Sequence, residues 1–184
     1  MGGASYRYGS PPQRGAAGPD HGRDRGLTGS GRSAAGGCCS LLLRAGSADR
    51  RPMIELPERL LEEMVTHARR EAPREVCGWL AGAEGRVREI HPVPNVADAP
   101  ELRFLMEPGA QLAAMREIER RGLEIVGTYH SHPRTPADPS ARDRSLALYP
   151  DLAHLILSLA GEEPELRAHR ISDGRLKPLG LKVQ

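Results

Sequence analysis

The sequence predicts a mixed α/β domain built in layers, and three observations carry that expectation. Apolar residues recur at helical spacing in two long segments and in short strand-like runs around them, with no strict strand–helix–strand repetition. Of 184 residues, 39% are hydrophobic and 27% charged, an ordinary balance for a globular protein with one core. Aromatics are only 3%, so leucine, isoleucine, valine and alanine must fill most of that core.

The domain is expected over residues 53–184. Residues 1–52 hold 12 of the 21 glycines, many arginines, serines and prolines, and no apolar period. Such a stretch buries too little apolar surface to offset its ordering entropy, so it is predicted to be disordered. An over-extended reading frame, with Met53 as the natural start, is favoured over a basic arm that touches nucleic acid. Eight arginines and three aspartates put this stretch at +5; the whole chain is +2, so the remainder is −3. A mildly acidic body argues against nucleic-acid binding. Cys77 stands alone in the body, which excludes an internal disulfide there and a four-thiolate zinc site, and fits a reducing cytoplasm. No apolar run approaches the ~18–20 residues of a membrane span, and the run from Cys38 to Leu43 is too short for a signal-peptide core. The chain reads as soluble and unexported.

From Met53 the elements follow in order. Pro57 to Arg70 reads as a helix, with Leu60, Leu61, Met64, Val65 and Ala68 on one stripe, and Pro73 closes it. Val76 to Ala81 and Arg86 to His91 read as strands of a hairpin around the Gly82–Gly85 turn, followed by a proline-rich loop to Pro100. Pro108 to Arg121 is a second amphipathic helix, its stripe Leu112, Met115 and Ile118, stopped by Gly122. Leu123 to Tyr129 is an apolar strand running straight into His130, and a short helix is expected after Ser140. Leu152 to Leu159 and Leu166 to Ile171 are strands. Asp173-Gly174 signals a turn into one last strand near Leu176 to Leu181.

Chemistry gathers in Gly127-Thr128-Tyr129-His130-Ser131-His132-Pro133 and in Pro139-Ser140-Ala141-Arg142-Asp143. Positions i and i+2 of an extended chain share a face, so His130 and His132 can reach one ion. Pro133 keeps His132 extended, because the residue before a proline avoids the helical region. A ten-residue loop lets Asp143 fold back to them. Two histidines and a carboxylate make a catalytic zinc set with a fourth position for water, although the same ligands also suit iron. Ser140 and Asp143 have a second reading as a helix capping box, and the two are compatible, since a helix start is a rigid place for a ligand.

His130-Ser131-His132, seven residues, Ser140, two residues and Asp143 reproduce the motif of the JAMM (MPN+) metallopeptidases, which the chain resembles from about Met53 to Leu181. The family's upstream glutamate is matched by Glu75, in Pro73-Arg74-Glu75-Val76-Cys77-Gly78-Trp79-Leu80-Ala81-Gly82. The resemblance implies an MPN-like (cytidine-deaminase-like) layered fold, with a central mixed β-sheet flanked by helices. It implies Zn2+ on His130, His132 and Asp143, Glu75 as the general base, and Ser140 as the donor that stabilises the oxyanion. Cys77 is expected to be a buried small hydrophobe, with pocket lining the lesser reading. His67, His91, His154 and His169 are expected to be structural or exposed.

The spans after Asp143 and before Glu107 leave no room for large insertions, so the chain looks like the compact prokaryotic members. Those resemble enzymes that cleave after the Gly-Gly tail of a ubiquitin-like sulfur-carrier protein, releasing cysteine or another amine. A non-catalytic MPN scaffold, a RadC-like DNA-associated protein and a metal hydrolase of a small amide are the alternatives. The filled ligand set argues against the first, and Ser131 together with the acidic body against the second.

Overall fold

The computed structural model describes residues 5–7 and 53–184. In chain order these form β1 (Ser5–Arg7), β2 (Met53–Leu56), α1 (Glu58–Glu71), β3 (Cys77–Ala83), β4 (Arg86–Val93), α2 (Pro108–Arg120), β5 (Glu124–His132), α3 (Ala141–Ser145), β6 (Ala153–Ser158), β7 (Glu165–Ser172), β8 (Arg175–Pro178) and β9 (Gly180–Val183). Pro57 occupies the cap of α1, where its missing N–H costs nothing, and the helix buries Leu60, Leu61, Met64, Val65 and Ala68 as its spacing requires. Each larger aliphatic side chain in that stripe contributes roughly 2 kcal/mol by leaving water.

The strands make one mixed sheet in the order β1-β7-β6-β5-β3-β4-β2-β9, with β8 also paired to β7. Antiparallel β3 is flanked by β4 and β5, β5 runs parallel to β6, and β2 runs parallel to both β4 and β9. The β3–β4 hairpin closes through Glu84 and Gly85, both at positive φ (52° and 78°), the two-residue geometry that matches strand twist. Gly78 is required for a different reason: a Cβ there would lie 2.4 Å from the His91 carbonyl and 2.5 Å from the Tyr129 ring.

Alternation along the central strands divides the apolar residues between two faces. The α1 stripe packs with Leu80, Tyr129, Leu155 and Leu157 on one. On the other, Cys77, Trp79 and Ala81 pack with Ile118, while Met115 of α2 and Tyr149 lie against them. A mixed sheet with helices on both faces is the layered α/β architecture the element pattern predicts. The chemistry of the chain falls on the second face.

Four details depart from the sequence reading. Ser5–Arg7, inside the stretch expected to be disordered, pairs antiparallel with β7; the rest of residues 1–52 lies outside the described residues. Strand β2 was not expected at all. The single last strand is two strands, because the chain leaves β7 after Pro178 and crosses to pair with β2, pinned by buried Leu179. Leu112 is 47% exposed rather than part of a buried stripe, since α2 buries only Ile118 fully. No helix among the described residues is long and apolar enough to cross a membrane.

Candidate metal centre

Strand β5 carries the two histidines at its end, as the apolar run leading into His130 suggested. Cys77 of β3 is the register partner of His130, so both histidines point to the Cys77–Trp79 face and are buried. Their Nε2 atoms approach to 3.1 Å. The chain then turns back through Pro133–Pro139, held by Ser158 Oγ donating to the Thr135 carbonyl at 2.7 Å and by an Arg167–Asp138 ion pair. That return ends in α3. Ser140 Oγ accepts from the Asp143 amide at 3.1 Å, and the Ser140 amide donates to Asp143 Oδ2 at 2.7 Å, so the capping box is complete. The same bonds orient the Asp143 carboxylate, which places Oδ1 3.6 Å from His130 Nε2 and Oδ2 3.6 Å from His132 Nε2.

His130, His132 and Asp143 thus converge with all their ligand atoms within 4.8 Å. A tetrahedral zinc with bonds of about 2.0–2.1 Å separates its ligands by roughly 3.3 Å, so spacings of 3.1 and 3.6 Å fit such an ion. His132 places its Nδ1 2.8 Å from the Pro136 carbonyl; donation there leaves the Nε2 lone pair aimed inward. The electrostatics agree. Burial raises the Asp143 carboxyl, but contacts with the His130 and His132 rings outweigh it and hold the group well below the usual carboxylate range. Burial lowers His130 and keeps that ring neutral, as a ligand must be. For His132 burial also works against charge, yet Asp143, the Pro136 carbonyl and Glu75 outweigh it. An ionised Asp143 therefore sits beside both imidazoles.

Glu75 lies just before β3 and is 6% exposed. Burial raises its carboxyl, opposed by His132 and assisted by Asp143, and the net result is a pKa of about 7. That suits a group that must both accept and give a proton near neutrality. Both flanks of Glu75 are held: its amide donates to the Pro100 carbonyl at 2.6 Å, and Ser131 pairs with Val76 through two bonds, N to O at 3.0 Å and Val76 N to Oγ at 2.9 Å. Ser140 is exposed, and a hydroxyl that accepts one bond keeps its own proton to donate.

Cys77 is fully buried, its thiol 3.4 Å from the Val93 carbonyl and pushed up to about 12 by burial, with the charge of Glu75 adding to this. His67, His91 and His154 lie within hydrogen-bond distance of Tyr129, Glu89 and Thr128, and His169 is buried; none joins the ligand group. The sequence reading missed Asn95 and Phe104, whose ring stacks on His130 at 4.6 Å and 26°, and gave Ser131 a place in the motif without its bonds to Val76. The alternation that puts His130 and His132 on one face also places Ser131 away from it, a usable signal. Phe104 and Asn95 carried none.

Comparison with known proteins matches residues 57–172 to the family described as prokaryotic homologues of the JAB domain. A probable TtuB-protein conjugate cleaving protease of Thermus thermophilus is 44% identical over 91 residues, which span 50% of this chain and 61% of that protein. A CysO-cysteine peptidase of Mycobacterium tuberculosis is 39% identical over 137 residues, covering 73% of this chain and 91% of the relative. The solution structure of a protein from Desulfitobacterium hafniense superposes with a TM-score of 0.66 at 36% identity, covering 72% of this chain and 93% of that one.

Proposed function

The chain belongs to the family of prokaryotic JAB-domain homologues, of the compact JAMM (MPN+) type, and from that premise we propose that it is a zinc-dependent peptidase acting after the Gly-Gly tail of a ubiquitin-like sulfur-carrier protein. One observation carries the reading. Two buried imidazoles and a carboxylate converge at ligand spacing beside a buried glutamate poised near neutral pH. The names of the relatives support hydrolysis of a peptide or isopeptide bond as the reaction, with cysteine or another amine as the leaving group.

His130, His132 and Asp143 would hold the zinc. Bound there, the ion would acidify a water and so supply the nucleophile near neutral pH. Glu75 would accept a proton from the attacking water as the scissile carbonyl is hydrated. The Ser140 hydroxyl donates to the carbonyl oxygen as negative charge develops on it. Glu75 then returns the proton to the departing amine, which regenerates the carboxylate. A cytoplasmic location belongs to the same proposal, supported by the reduced, buried Cys77.

Ser140→Ala separates the two parts Ser140 plays. Losing the cap should cost about 1 kcal/mol of stability. Losing the donor should reduce kcat by roughly 10²-fold with metal content unchanged. A kcat within about threefold of the parent would remove Ser140 from the oxyanion site.

Intact mass spectrometry of ubiquitin-like carriers extended by a carboxy-terminal cysteine tests the function itself. Incubated with the zinc-loaded chain, they should lose the added residue down to Gly-Gly, and a chelator should abolish the loss. Carriers left intact by a zinc-loaded protein would defeat the proposed substrate.

A further inference from the structure

The proline-rich segment after β4 folds back as a narrow flap. Val96 donates to the Leu105 carbonyl at 2.8 Å and Glu107 to the Pro94 carbonyl at 2.9 Å, with Asn95 and Met106 in a bridge between them. At the base of this flap the Asn95 side chain uses all its capacity. Its amide nitrogen donates to the Glu75 carbonyl at 2.8 Å and to the Arg103 carbonyl at 3.1 Å. Its amide oxygen accepts from the Ala97 and Leu105 amides, each at 3.0 Å. Two of these four bonds, to Arg103 and Leu105, bracket Phe104, the residue whose ring lies on His130.

We propose that Asn95 is a positioning residue that fixes Glu75 and Phe104 relative to the metal ligands through one side-chain amide. The inference rests on the function proposed above. Its physical basis is that the Glu75 segment precedes β3 and lacks a strand ladder on this side, so the backbone that aims the carboxylate is held by Pro100, Asn95 and Ser131 instead. A buried carbonyl without its donor relaxes toward another partner, and a catalytic group displaced by about 1 Å loses on the order of 10² in rate. The flap itself should survive substitution, because its two backbone bonds do not pass through the Asn95 side chain.

Two variants of the full chain divide the roles. Asn95→Ala removes all four bonds. Asn95→Asp keeps acceptors for Ala97 and Leu105 and loses the donor to Glu75 and Arg103. Measured on the cysteine-extended carrier, both should lower kcat about 30-fold, with KM within about threefold of the parent and with metal content unchanged. An Asp variant with at least half the parental kcat would overturn the proposal, as would a loss confined to KM or metal binding. If the metal-loaded parent leaves the carrier intact, the substrate reading fails on its own and hydrogen exchange decides this one. The Glu75 amide should then exchange about tenfold faster in both variants, relative to the amides of α1, and unchanged exchange would overturn it.

Discussion

Glu75→Gln should keep its metal and lose turnover, with kcat falling at least about 10³-fold, within the range that general acid–base catalysis supplies. Glutamine has the same length and shape, and the bonds that orient residue 75 are backbone bonds to Pro100 and Asn95, which the substitution leaves in place. What disappears is the ability to take a proton from water and return it to the amine. The substitution also removes a carboxylate whose ionisation is opposed by burial. The folded state binds that proton more tightly than the unfolded chain does, so the carboxyl's contribution to stability is present at low pH and lost as pH rises through about 7. A neutral amide carries no such loss, and the metal-free variant should melt no lower than the metal-free parent at pH 8. Zinc analysis, melting and carrier cleavage on the same preparation give all three readouts. Near-normal turnover would show that the proton leaves by another route and would cancel the part given to Glu75.

How much of the site is legible in the sequence depends on how local each signal is. The histidine pair is legible because β5 is apolar up to Tyr129, and strand period alone then places His130 and His132 together. The capping box at Ser140 is equally local, spanning four residues. The Glu84-Gly85 turn and the α1 stripe belong to the same class. Glu75 has no such signal, since an acid beside Pro73 and Arg74 reads as solvated, and only the family motif raises it. Strand β2 has four residues, and its partner β9 lies more than a hundred residues downstream, so no window contains the reason it is extended. The same pairing draws Gly180–Val183 away from β8 and splits what reads locally as one strand. Asn95 and Phe104 matter through contacts made across the flap, and a sequence shows such residues only as ordinary loop positions.

His132→Ala should empty the metal centre, taking zinc from about one per chain to below about 0.1, because a site of two remaining ligands lacks the three protein groups a catalytic zinc needs. The effect is larger than the loss of one bond. His132 Nδ1 lies 2.8 Å from the Pro136 carbonyl, so removing the ring also removes one of the bonds that hold the loop carrying Asp143 back toward His130. Stability gives a second reading of the same event. A ligand that binds only the folded state at a thousand times its Kd adds about 4 kcal/mol, so zinc should raise the melting temperature of the parent and leave that of the variant unchanged. His91→Ala is the matched control, since His91 is half-buried, contacts Glu89 and stands outside the ligand group. It should bind zinc and show the same zinc-dependent rise as the parent. If His132→Ala retained zinc, or if both variants lost it equally, the ion would have to sit elsewhere, and the functions given to Glu75, Ser140 and Asn95 would fall with the site.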